Sequence, residues 1–181
     1  MQTFFSSFAA IEAFTRSLNL NTSDKTCKHC NQNDQWVSHG NVKKLGKHPI
    51  GKRIFCSNRH NKTGCGRTQQ LYIDTVIPGK HYSTTQLTAF IVQLLYGLWV
   101  EDAYRLAVDA CDARQAWRWI NALFSHLGSF RSQVKHPLSD NEWHCRHRSD
   151  RLHHLLPTLK QLFEEGWSFS AQQYKQQHAI F

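Results

Sequence analysis

Four cysteines constrain this chain more than any other feature. Cys27 and Cys30 form a C-x2-C pair, and Cys56 and Cys65 form a second, wider pair beyond the spacer at residues 31–55. The segment around them, residues 22–78, is rich in Gly, Asn and Lys and has only short apolar runs. Residues 36–39, 52–55 and 69–73 read as short strands, since each carries β-branched or aromatic side chains between turn formers. Strands so short and so few bury too little apolar area to fold alone. A cross-link must supply what the core lacks.

A C-x2-C turn lets two thiolates converge on one tetrahedral ion, and a second hairpin supplies the other two ligands from across a small sheet. Gly64 and Gly66 flank Cys65 and let backbone N–H groups turn towards sulfur. The expected arrangement is a zinc ribbon with one structural Zn2+ held by Cys27, Cys30, Cys56 and Cys65. Four thiolates close the coordination shell and leave no position for a reactive water. Three weaker readings stand beside this one. A redox C-x-x-C favours a strand-to-helix junction, which is not evident here. Two disulfides would require export, and His29, His39 or His60 could replace one cysteine.

Charge bears on the partner. Lys and Arg number 22 against 13 Asp and Glu, with 12 His, for a formal charge of +9. Such an excess points to a polyanion, nucleic acid before membrane. Residues 35–73 contain no acid but hold Lys43, Lys44, Lys47, Lys52, Arg53, Arg59, Lys62 and Arg67, all candidate DNA contacts. No run approaches the ~18–20 apolar residues of a membrane span. The N-terminus lacks a basic leader region, and Phe4, Phe8, Ile11, Phe14 and Leu18 recur at helical spacing, so residues 3–19 are expected as one amphipathic helix. A cytosolic protein is the expectation.

Pro78-Gly79 marks a break. Beyond it, Ser83 and Gln86 form a capping box ahead of a helix with Leu87, Phe90, Ile91, Leu94 and Leu95 on one face, ending near Gly97. A second helix is expected to end at Val108, with Ala103, Leu106 and Ala107 inward. Asp112 suits the N-cap of a third, residues 113–126. Three helices with a short final turn match a helix-turn-helix, whose last helix enters the major groove. Arg114, Gln115 and Arg118 then stand on its first turns, Arg suited to guanine and Gln to adenine. Residues 128–181 are histidine-rich, with one helix expected near 150–165. His144, Cys145, His147, His153 and His154 read as part of an exposed basic helix that adds phosphate contacts, rather than as a second metal or nuclease centre.

"CKHC", "WVSHGNVKK", "GKRIFCSNRHNKTGCGRT" and the helical segment from "STTQLTAFIVQLLYG" together resemble the N-terminal DNA-binding part of bacterial insertion-element proteins, over residues 24–127. That family pairs a zinc ribbon with a helix-turn-helix. Two departures stand out: the loop from Cys56 to Cys65 exceeds the common two-residue knuckle, and Gln69 occupies a position usually aromatic. The residues themselves divide the chain, α+β and mostly helical, into four parts: an N-terminal helix (1–21), a module that the resemblance makes a zinc ribbon (22–78), a helix-turn-helix (79–127) and a basic helical tail (128–181). The resemblance also implies a non-catalytic DNA-binding protein of a mobile element, expected in the bacterial cytoplasm and nucleoid-associated. Double-stranded DNA is the expected partner, with a second copy or a transposase as protein partner and no membrane. A transposase needs three carboxylates for its metal ions, and no such set is evident. The alternative is a zinc-ribbon adaptor docking onto a larger protein or RNA assembly.

Overall fold

The computed structural model describes residues 2–19, 25–43, 49–110, 112–135 and 147–177. Lys44, Lys47, Cys111, His144 and Cys145 lie outside them. The chain divides into two compact units, Met1–His81 with Ser170–Ile180, and Tyr82–Phe169.

In the first unit, four strands are described: β1 (Gln2–Phe5), β2 (Trp36–Lys43), β3 (Pro49–Cys56) and β4 (Thr68–Ile73). They form one sheet in the order β1-β4-β3-β2. The pairs β2–β3 and β3–β4 are antiparallel, and β1 joins β4 in parallel. The three strands expected from sequence are present and longer than expected. The N-terminal helix is shorter than expected. Gln2–Phe5 is extended, because Thr3, Phe4 and Phe5 are strand-favouring side chains with an open sheet edge to join. The Ser7 hydroxyl then accepts from Ala10 N at 3.1 Å and caps α1 (Phe8–Asn19).

Helix α1 covers one face of the sheet. Ile11 and Leu18 pack with Trp36, Ile54, Leu71, Cys27 and Cys56, flanked by Phe5, Phe8 and Phe14. Phe4 is buried too, in a second cluster with Val42 and Tyr72. β1 is an edge strand, and its backbone is answered by a side chain. The Gln177 carboxamide accepts from Phe4 N at 2.7 Å and donates to Phe4 O at 3.1 Å. This pairing blunts an edge that would otherwise invite another chain.

The second unit is helical: α2 (Thr84–Leu95), α3 (Val100–Val108), α4 (Ala113–Ser125), α5 (Leu127–Arg131) and α6 (Arg148–Glu164). A further helix, α7 (Phe169–Gln176), begins at the residue that ends this unit. The Ser83–Gln86 capping box is present, and the Asp112 carboxylate caps α4 by accepting from Gln115 N at 3.1 Å. Trp119 forms the centre of the core, 3.9 Å from Tyr82, 5.5 Å from Phe90 and 5.1 Å from Tyr104 between ring centroids.

Two expectations change here. On α3 the inward residues are Ala103 and Tyr104, while Leu106 is 63 % exposed. Tyr104 turns inward to meet Trp119, and the helical step of about 100° per residue carries Leu106 round to the opposite side. The helix expected as an exposed part of the tail is instead packed into this unit: Leu155, Thr158, Leu159 and Leu162 of α6 are buried. His147 and His153 are exposed and His154 is half-buried. Among the described residues, no helix is long and apolar enough to cross a membrane.

Candidate metal centre

Two turns bring the four thiols together. In the first, Asn31 N donates to Cys27 O at 2.8 Å and Cys27 N to Gln32 O at 2.9 Å. The chain reverses through Asn31, whose φ of 54° lies in the left-handed region that Asn tolerates better than most residues.

The second turn shows how a nine-residue step acts as a short knuckle. Gly64 N donates to Ser57 O at 2.7 Å and pinches residues 58–63 out of the turn. What remains, Cys56-Ser57 followed by Gly64-Cys65, has the shape of a two-residue knuckle. Cys56 N donates to Arg67 O at 2.8 Å and Gly66 N to Cys56 O at 2.9 Å, closing its base. Cys65 N approaches Cys56 Sγ at 3.4 Å. Gly64 is required by space: a Cβ there would meet Cys56 Sγ at 2.7 Å and crowd the Ser57 carbonyl.

All four Sγ atoms lie within 4.8 Å of one another. Cys27 and Cys65 are 3.7 Å apart, as are Cys30 and Cys56. Thiolates about 2.3 Å from a tetrahedral ion stand about 3.8 Å from each other, so the donor set and its spacing fit a metal ion. The four are free thiols. Cys27 and Cys56 are buried in the core under α1, Cys30 is half-buried and Cys65 lies at the solvent edge.

The electrostatics are uneven. Burial alone would raise the Cys27 thiol, but the N–H groups of His29 and Cys30 and the neighbouring thiols bring it down to about 7. Burial pushes the Cys56 thiol up to about 12. The Lys25 ammonium lies 4.8 Å from the Phe14 ring centre and 5.4 Å from that of Trp36. Its burial and the nearby Lys28 charge bring it down to about 8.

The basic residues between positions 35 and 73 do not form a uniform set. Lys52 points to the α1 face, where its ammonium lies 3.4 Å from Glu12 and is only 18 % exposed. The Lys62 ammonium donates to Asp34 O at 2.6 Å, and an Arg67 guanidinium nitrogen lies 3.1 Å from His29 Nδ1. Lys43, Arg53 and Arg59 are exposed. In the helical unit, Arg114 and Arg118 are exposed on α4 and Gln115 is half-buried, 3.4 Å from Arg118. Sequence reasoning missed the Lys52–Glu12 pair and the Ser57–Gly64 pinch. Only Gly64 hinted at the second.

No protein-family model, curated protein or solved structure matches this chain.

Proposed function

We propose that this chain is a non-catalytic DNA-binding protein of the mobile-element type. In this reading Cys27, Cys30, Cys56 and Cys65 hold one structural zinc ion that ties the ribbon hairpins together. The observation that carries the reading is a folded sheet unit whose residues 35–73 present Lys43, Arg53 and Arg59 to solvent with no carboxylate among them. Such a surface draws phosphate and releases condensed counterions on binding. The helices α2, α3 and α4 serve as a helix-turn-helix, with Arg114 and Arg118 on the exposed first turns of α4 as base-reading side chains and Gln115 orienting Arg118.

Binding curves on matched and scrambled duplexes at two salt concentrations test the proposal, once a preferred site has been selected from a random duplex pool. Lys43→Ala or Arg53→Ala should weaken both duplexes alike and lower the salt slope by about one unit. Arg114→Ala or Arg118→Ala should cost about 1–3 kcal/mol on the matched duplex alone. Equal losses on both duplexes would remove α4 as a reading helix. No loss from either set would remove DNA binding altogether.

One observation favours the adaptor reading. Trp99 is 83 % exposed, Tyr96 79 % and Leu106 63 %. Exposed apolar side chains mark a protein contact surface where they form a contiguous patch. If DNA binding fails, Tyr96, Trp99 and Leu106 are the first residues to test for protein docking.

A further inference from the structure

The residues pinched out of the second knuckle form one wall of a groove. Its floor is the cross-strand row Val37, Phe55 and Thr68, paired in register across β2, β3 and β4. This row alternates with Trp36, Ile54 and Cys56, which face α1, so it lies on the opposite face of the sheet. His39 stands beside Phe55, ring centres 5.7 Å apart at 36°. The far wall carries Arg59, His60 and Lys62. The groove encloses about 450 Å³, within the ~300–1,000 Å³ common for small-ligand sites.

The loop is held in place. Arg59 N donates to the Ser57 hydroxyl at 3.2 Å and Lys62 N to Arg59 O at 3.1 Å. Thr63 N donates to Gln35 Oε1 at 3.0 Å, and the Thr63 hydroxyl bonds Gln32 Oε1 at 2.7 Å. His60 and Asn61 turn the chain through left-handed backbone, φ 52° and 64°, which His and Asn adopt more readily than most residues. The wall is therefore set before any ligand arrives. Among the described residues, no carboxylate lines the groove. An aromatic floor beside a cationic wall matches one chemistry closely: a planar, uncharged ring joined to an anion.

We propose that this groove binds one unpaired DNA nucleotide, its base against Phe55 and His39 and its phosphate on Arg59. A base in a duplex has both faces covered by its neighbours and cannot lie on a protein ring, whereas a frayed, flipped or single-stranded base can. The inference rests on the DNA-binding reading and extends it from phosphate contact to recognition of strand ends or openings.

The test uses the full zinc-loaded chain and two probes, a blunt duplex and the same duplex with a three-thymidine overhang. The overhang should raise affinity about ten-fold, the scale of one stacked base. Phe55→Leu, which keeps an apolar floor, and His39→Ala, on the exposed rim, should each reduce that gain while leaving blunt-duplex affinity and zinc content unchanged. Equal affinity for both probes, or a gain that survives both substitutions, would overturn the groove proposal and leave the duplex-binding reading standing. Failure to bind either probe would overturn both.

Discussion

The two units solve the same problem by opposite means. The helical unit holds itself together with aromatic packing. Tyr82, Phe90 and Tyr104 surround Trp119, and Phe130, Phe163, Trp167 and Phe169 form a second set, with Trp167 and Phe169 ring centres 4.9 Å apart. The sheet unit has a thinner core, one helix over one face of short strands, and that core runs directly into the cysteine cluster. Where side chains fill space, burial suffices. Where they do not, the four thiols stand at the spacing at which a metal ion links both hairpins. Stability in the first unit should therefore depend on an ion, and in the second on ring volume.

Removing a ligand should produce the largest effect. Cys65→Ser, or a strong chelator, should abolish a zinc content of one per chain and unfold the sheet unit, since binding to structural sites contributes on the order of 10 kcal/mol. Hydrogen exchange should show residues 36–73 losing protection while α2 and α4 keep theirs. Simultaneous loss in both would break the comparison, and wild-type protein free of metal would dismiss the zinc site. The reciprocal change is Trp119→Ala, which should cost about 3–5 kcal/mol. Its expected signature is a lowered melting temperature for the helical unit with metal content intact.

Smaller effects sharpen the picture. Gly64→Ala keeps all four ligands but forces a Cβ against Cys56 Sγ and the Ser57 carbonyl, so zinc affinity measured by competitive chelation should fall about 10- to 100-fold, as for other supports of metal ligands. Unchanged affinity would mean that the pinched turn is not needed for the knuckle. Asp112→Ala removes the α4 cap and should cost about 1 kcal/mol. Thermal melts should show this small loss in the helical unit alone.

Much of the local structure was legible beforehand. The cysteine spacing pointed to a four-thiol cluster, because a C-x2-C turn brings two sulfurs together and a second hairpin can add two more. Turn formers bounded the three ribbon strands, and Ser83, Gln86 and Asp112 marked helix starts through the backbone donors they satisfy. Hydrophobic period misled at the N-terminus. Phe4 fits a helical face as well as an extended one, and only the free edge of β4 decides for the strand. The same limit appears at Leu106 and Tyr104, where side-chain spacing admits either as the inward residue until the position of Trp119 is known.

By itself, the sequence determined the four-cysteine set, the charge imbalance and the caps. These depend on residue identity and on separations short enough for the backbone to enforce. Tertiary structure alone decided that α1 lies on the sheet, that Gln177 closes its edge and that Glu12 neutralises Lys52. It also decided that six residues between Cys56 and Cys65 leave the knuckle to wall a groove. Each of these joins groups that are distant in sequence or depends on which surface remains uncovered. Such choices follow from the free energy of the packed whole, which no local pattern encodes.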